Sequence, residues 1–387
     1  MTDFAFRAAP ESFVDPSILG RWWRTIDKLS LLALILLVLV GLLISFAASV
    51  PLAEKNGLPQ FYFVTRHAVF AAMAVGLMLA LSVLSPDQVR RNGVRLFLLA
   101  FAAVALLPLF GTDFGKGAVR WYSFGLSVQP SEFLKPGLAV LTGWMMAASL
   151  RPMGPPGVSL SFLITVAVIG ALAIQPDFGQ ALLVVASWGA MFFVWGAPIW
   201  LMVGLVGCGV GLIWFAYTNF EYVASRINDF WAADIDPTSQ IGYATNAILK
   251  GGLFGVGAGE GSVKWSLPDA HTDFVMAVAA EEYGLAFCLV IIGLFLFVTL
   301  RALRRMMREK DAFARVAASG LAVMFGLQAF INIGVTFTLL PAKGMTLPFI
   351  SYGGSSMLAS GLAMGLMLAL TRDRPQDHVT DRIGAGR

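Results

Sequence analysis

Apolar residues along this chain come in long runs parted by short polar joints. Ten runs have the length that a membrane-spanning helix needs, about 17–25 residues. They cover 29–50, 66–84, 94–111, 132–150, 158–175, 179–196, 198–218, 274–298, 313–338 and 348–371. Only Pro176, Asp177 and Phe178 part the fifth run from the sixth, and only Gly196, Ala197 and Pro198 the sixth from the seventh. Those two turns are the weakest boundaries in the pattern. The first run is too long for the apolar core of a cleaved signal peptide, so it reads as a retained span. The pattern predicts an all-α integral membrane protein of about ten transmembrane helices, with a large loop, 219–272, between the seventh and eighth. Three parts follow: an N-terminal segment 1–28, a polytopic domain 29–371 and a tail 372–387. No internal repeat is visible, which weakens an inverted-repeat transporter.

Composition agrees with the pattern. Of 387 residues, 58% are hydrophobic and only 13% charged, against about 25% charged in a soluble chain. Cys208 and Cys288 both fall in apolar runs, so neither a disulfide framework nor a Cys-based zinc site is expected. The basic balance of the chain matters through its placement. With the N-terminus inside, the inner segments hold four Lys and Arg in 1–28, three in 85–96, Arg151, six in 301–315 and four in the tail, 18 of 27 in all. This asymmetry places both termini in the cytoplasm and 112–131, 219–272 and 339–347 outside.

The outer segments carry the candidate chemistry. "LPDAHTDF", residues 267–274, sets Asp269, His271 and Asp273 at the mouth of the eighth run. Asp273 there gains about 0.3–1 kcal/mol from the helix dipole, and Asp is also a good N-cap. Capping and chemistry both remain open on the motif alone. Asp269 after Pro268 reads as a solvated loop residue, and His271 as a proton shuttle or a hydrogen-bonded interface histidine. On one continuous helix Glu281 lies about 80° round from Asp273 and Glu282 about 180°. Only Glu281 is therefore expected to share a cavity with Asp273.

Glu132 and Lys135 are i, i+3 neighbours, and an ion pair between them lowers their cost within a span. Arg120 and Trp121 precede them at the interface, where Trp anchors and Arg snorkels or binds phosphate. Arg226 and Lys343 are further outer cations. Ser351 and Ser355 open the tenth run among glycines, a composition that favours close helix packing; no base for a serine nucleophile is evident. "GGLFGVGAGEG" lacks the βαβ surroundings of a dinucleotide site, so its glycines read as close backbone approach to an anion or as a tightly folded loop. Ile241, Ala244 and Ile248 just upstream keep the spacing of a short interfacial helix. One carboxylate with Arg120, Lys135, Arg226 and Lys343 suits an amphipathic anionic substrate, without separating enzyme from transporter.

The stretches "GAVRWYSFGLSVQPSEFLK", "QPDFG", "LPDAHTDF", "EEYG" and "LLPAKGMTLPFISYGGSS" resemble, in that order over about 25–371, the SEDS family (shape, elongation, division and sporulation). "AKG" before "MTLP" resembles the cell-division branch more than the elongation branch. Three positions depart from the usual pattern: Ala244 where Gln is usual, Gln180 where a small residue is common, and Thr338 where Gly is frequent. The resemblance implies a peptidoglycan glycosyltransferase that polymerises lipid II at the outer face of the bacterial inner membrane, at the division septum. A class B penicillin-binding protein and other divisome membrane proteins are the implied partners, and nucleic acid is not. It implies Asp273 as catalytic base, and Arg120, Trp121, Glu132, Lys135, Arg226, Lys343, Ser351 and Ser355 are the expected substrate contacts beside it. A divalent cation, Mg or Mn, is a candidate aid to the departing pyrophosphate. The competing functions are a lipid II flippase, an elongation-type polymerase and a scaffold for division proteins. A flippase needs polar residues through the full bilayer depth, whereas the ionisable residues here gather in the outer half.

Overall fold

The computed structural model describes residues 18–112, 119–123, 125, 127–231, 236–341 and 344–373. A short helix α1 (Ile18–Thr25) leads into α2 (Lys28–Lys55), α3 (Tyr62–Ser82) and α4 (Pro86–Phe110). A two-residue antiparallel hairpin, β1 (Tyr122–Ser123) and β2 (Ser127–Val128), precedes α5 (Pro130–Ala148), α6 (Gly157–Ile174), α7 (Phe178–Trp195) and α8 (Ile199–Asn219). The large loop contains α9 (Glu221–Trp231) and α10 (Gln240–Gly251); α11 (Val275–Met306), α12 (Ala312–Thr336) and α13 (Gly354–Leu370) complete the chain. Eight of these helices are long and apolar enough to cross a membrane. With α5, which carries Glu132 and Lys135, and the 17-residue α13, they correspond to the ten predicted runs.

Several boundaries differ from the hydropathy pattern for local reasons. α4 starts at Pro86, eight residues before the third apolar run, because Ser85 and Gln88 form a reciprocal capping box that holds a polar first turn. The tenth run is helical only from Gly354. Residues 348–353 are irregular, with Phe349 buried in the left-handed region at φ 64°. Such backbone is tolerated at membrane depth only when protein surrounds it, and here α2 supplies the wall: a Cβ on Gly41 would lie 2.2 Å from the Phe349 carbonyl oxygen.

α12 lies at the centre, packed on α5, α7, α11 and α13. Small residues let the backbones close: a Cβ on Gly143 of α5 would clash with Ala317 at 2.7 Å, and one on Gly361 of α13 with the Ala74 carbonyl of α3 at 2.4 Å. The turns between α6, α7 and α8 fall at the two weak boundaries, and Gly196 takes the left-handed C-cap conformation after Trp195.

Candidate active site

α11 does not run straight from its start. At Gly284 the backbone leaves helical geometry (φ 83°, ψ 173°), which frees the carbonyls of Glu281 and Glu282 and the N–H groups of Leu285 and Ala286. The glycine-rich segment satisfies all four. Val256 and Gly257 donate to the carbonyls of Glu281 and Glu282 at 2.9 and 3.1 Å; Leu285 and Ala286 donate to those of Gly252 and Leu253 at 2.9 and 3.1 Å. A side chain on Gly255 is barred both by its φ of 82° and by the Glu282 carbonyl, 2.2 Å from where a Cβ would sit. The glycines thus serve a tightly folded loop.

The glutamates fasten the same loop. The Glu281 carboxylate accepts from the N–H groups of Ser262 (2.8 Å) and Val263 (3.0 Å). Glu282 pairs with Lys264 and accepts from the Gly259 N–H at 3.0 Å. Both are buried. The expectation that Glu281 lines a cavity with Asp273 is corrected: the wheel argument assumed a helix already formed at 273, whereas α11 begins at Val275 and the Glu281 carboxylate is held by the Ser262 and Val263 N–H groups.

This clamp presents the turn carrying Asp273. The carbonyl of Asp269, a residue in left-handed conformation at φ 53°, accepts from the N–H groups of Thr272 and Asp273 at 3.1 Å each. Asp and Asn are the non-glycine residues that tolerate this region best, so Asp269 shapes the turn rather than simply facing solvent. The cap position of α11 belongs to Phe274, which makes no side-chain cap. Asp273 therefore lies two residues before the first helical residue, in the turn rather than at the cap position.

The turn is sewn to the segment before α13. The Tyr352 N–H donates to the His271 carbonyl (2.9 Å), and the Ser351 hydroxyl donates to that of Thr272 while accepting from the Leu347 N–H (2.8 Å). Asn332 of α12 donates to the carbonyls of Met345 (2.6 Å) and Asp273 (2.9 Å). The Asp273 side chain is half-buried and directed at Gly344, where a Cβ would stand 3.0 Å from Oδ2. Glycine here keeps a space open beside the carboxylate.

Behind this turn runs a buried polar rail. Gln180 Nε2 donates to Glu132 Oε1 (2.7 Å), Lys135 Nζ bridges Glu132 Oε2 (2.9 Å) and Gln328 Oε1 (3.0 Å), and Gln328 Nε2 donates to the Thr346 carbonyl (3.0 Å). Glu132 and Lys135 form the expected ion pair, both buried. The unusual Gln180 supplies the second partner that a buried carboxylate needs. A cavity of about 20 Å³ beside Glu132, Lys135, Gln328 and Ser360 has room for one water.

The other expected contacts are scattered. Arg120, half-buried, donates through Nε and a terminal nitrogen to the carbonyls of Gln175 and Pro176, both 2.8 Å. It lies beside Asp177, whose carboxyl burial pushes up and Arg120 pulls back down. Trp121 bridges to Thr112 at the base of the hairpin. Ser355 is buried in the first turn of α13. Arg226 belongs to α9, and its side chain and the whole of Lys343 lie outside the described residues. Among the described residues no three of His, Cys, Asp and Glu group as a metal site.

Sequence reasoning passed over Gln328 and Asn332, although amides four apart inside an apolar span are costly and signal a polar face. It also passed over Arg66, in the first turns of α3. The Arg66 guanidinium lies 5.7 Å over the Tyr62 ring, near Tyr352. Phe63, His271 and Tyr352 complete an aromatic cluster beside the turn.

The cell cycle protein family model of FtsW, RodA and SpoVE matches residues 27–376. A protein of Caulobacter vibrioides named "Probable peptidoglycan glycosyltransferase FtsW" is 47% identical over 376 residues, 96% of each chain. One of the same name from Alkalilimnicola ehrlichii is 34% identical, over 94% of this chain and 96% of its own. Among solved structures, a chain of a peptidoglycan synthase complex that coordinates polymerization and crosslinking superimposes with a TM-score of 0.75 at 28% identity, over 91% of this chain and 99% of the other. The rod shape determining protein RodA of Thermus thermophilus gives 0.66 at 27% identity, over 92% and 99%.

Proposed function

This chain belongs to the FtsW, RodA and SpoVE family of cell cycle proteins, and on that premise we propose that it is a peptidoglycan glycosyltransferase polymerising lipid II outside the inner membrane for septal synthesis. The observation that carries the mechanism is the Asp273 carboxylate. It stands in the turn before the cap position of α11, half-buried and directed at Gly344. The reaction is one inverting displacement, from the α-linked sugar pyrophosphate of lipid II to a β-1,4 linkage. The 4-hydroxyl oxygen of the acceptor attacks C1 of the donor, the C1–O bond to phosphate breaks, and pyrophosphate leaves with the electron pair. Asp273 takes the hydroxyl proton, a role worth about 10²–10⁴-fold.

The rail behind the site holds this carboxylate in place. Asn332 fixes the Asp273 carbonyl, and the Glu132–Lys135–Gln328 series fixes the Thr346 carbonyl of the facing segment. Glu132 and Lys135 act here by positioning, Ser351 by tying the two segments together. Negative charge develops on the departing pyrophosphate, where cations stabilise it. Lys343, adjacent in sequence to Gly344, and Arg66 take that task, with Arg226 a further cation for the substrate; Arg120 and Trp121 line the approach, and Ser355 packs the base of α13. Among the described residues the donor set builds no cage for a metal, so a divalent ion, Mg or Mn, would arrive on the pyrophosphate. A class B penicillin-binding protein, with other division proteins, is the partner, and both termini are cytoplasmic.

The test is polymerisation of labelled lipid II by the purified protein with that partner. Asp273→Asn is expected to lose at least about 100-fold while Asp269→Asn, which keeps the left-handed turn, stays near wild type. Long glycan strands from Asp273→Asn would overturn the mechanism. A wild type that moves lipid II across vesicles but makes no strands would identify a flippase. Depletion in cells separates the branches: long undivided cells support the septal role, and rounded cells the elongation one.

A further inference from the structure

We infer that the far end of α11 binds an anionic diacyl phospholipid of the cytoplasmic leaflet. The inference rests on the orientation proposed above and is independent of the reaction. Arg301, Arg304, Arg305 and Arg308 share one helix face at i, i+3, i+4 and i+7 spacing and line a cavity of about 520 Å³. Two of them have carboxylate partners: Arg301 binds Asp27, and Arg305 lies against Asp27 and Asp373. Arg304 and Arg308 are exposed and meet no carboxylate among the described residues. Neighbouring Glu309 turns instead to the Asp311 N–H at 3.0 Å.

The floor of the same cavity is apolar. Leu296, Phe297 and Leu300 are 55, 42 and 41% exposed, and nothing lies within 4 Å of a Cβ built on Gly293. At Leu296 this cavity meets a second, of about 270 Å³, lined by apolar side chains of α11 and α12 with Thr299. A charged head and an apolar trough thus join end to end. From Arg304 to Ile292 is 12 residues, about 18 Å of helix, against about 15 Å for half a bilayer core. The phosphate sits between Arg304 and Arg308, one acyl chain follows Leu300 to Gly293, and the other enters the trough at Leu296. A free phosphate would use the arginines alone and an acidic peptide would leave the trough empty, so the lipid is the occupant that accounts for both parts.

The experiment titrates the purified full-length protein in detergent with phosphatidylglycerol or phosphatidylcholine and counts bound lipid by native mass spectrometry. Wild type is expected to retain the anionic lipid at least about tenfold more tightly than the zwitterionic one, at about 1 kcal/mol for each unpaired arginine. The double change Arg304→Gln with Arg308→Gln, on exposed side chains, is expected to weaken it about 30-fold without altering the melting temperature. Gly293→Leu fills the floor and is expected to weaken the lipid with every charge in place. Equal retention of the two lipids, an unchanged double variant, or full displacement of the lipid by inorganic phosphate would each overturn the site.

Discussion

Asp27 and Asp273 each stand just before a long apolar helix, at opposite ends of α11, and they are held in opposite ways. Asp27 caps α2 in the ordinary manner and is 2% exposed. Its carboxylate takes the Ser30 hydroxyl at 2.8 Å and the Arg301 Nε with both oxygens, at 2.9 and 2.8 Å. Asp273 is tied down by its backbone, through Asn332 and Asp269, and its half-buried carboxylate faces a glycine. Saturating a buried carboxylate with an arginine makes a fastener, while the turn at 269–274 is set by backbone bonds that fix where the Asp273 carboxylate is presented. Burial raises the Asp27 carboxyl, but the bonds from Arg301 and Ser30 and the charges of Arg305 and Arg301 outweigh it and hold the group below its usual 3.8.

The comparison breaks most directly on matched substitutions. Asp273→Asn is expected to remove at least about 100-fold of polymerase activity with an unchanged melting temperature. Asp27→Asn is expected to do the reverse: activity per folded molecule stays, and stability falls by about 1–3 kcal/mol, because Arg301 keeps some solvent. Melting curves and initial rates on the same preparations decide it, and a stability loss in Asp273→Asn would collapse the distinction. Acid sharpens it further. A lowered carboxyl contributes stability above the unfolded value and loses it as pH falls through the folded value. The gap in melting temperature between wild type and Asp27→Asn is therefore expected to hold at neutral pH and close below about 3.8.

The rail is next in size. Lys135→Ala leaves Glu132 buried with Gln180 as its remaining side-chain partner, and about 3 kcal/mol of stability is expected to go. The double change Glu132→Gln with Lys135→Met is expected to recover much of the folded yield, measured by fluorescence-detected size exclusion. Equal yields for the single and double variants would remove the pairing argument. Gly344→Ala, which brings a methyl group to 3.0 Å from Asp273 Oδ2, is expected to cost about tenfold in rate, about 1.4 kcal/mol, with the fold intact. A wild-type rate would show that the space beside the carboxylate is not used.

The smallest effect concerns Thr338, where the family often has Gly. Its φ of 58° puts a β-branched residue in the left-handed region, at a cost of roughly 1–3 kcal/mol. Thr338→Gly is expected to raise stability by about 1 kcal/mol after the entropy that glycine loses. A lower melting temperature would mean that Thr338 is held by more than its backbone.

Which features the sequence determined follows from the range of the forces involved. Ten runs, their order and the basic asymmetry are legible because a bilayer tests each 20-residue segment almost independently. The Glu132–Lys135 pair is legible because i, i+3 neighbours meet on any helix, and the short helix at 240–251 because its caps and periodicity are local. The break at Gly284 is different. It exists only because residues 252–257, some 30 positions earlier, supply the hydrogen bonds that a broken helix lacks. That loop also takes the Glu281 and Glu282 carboxylates, which a helical wheel could not show. Likewise Gln180, Glu132, Lys135 and Gln328 became one polar rail only when α5, α7 and α12 packed side by side. The motif brought Asp273 to notice, and the tertiary structure alone decided that the cap position falls on Phe274 and that the Asp273 carboxylate points at Gly344. Local chemistry can be read along a chain, whereas partners distant in sequence are chosen by packing.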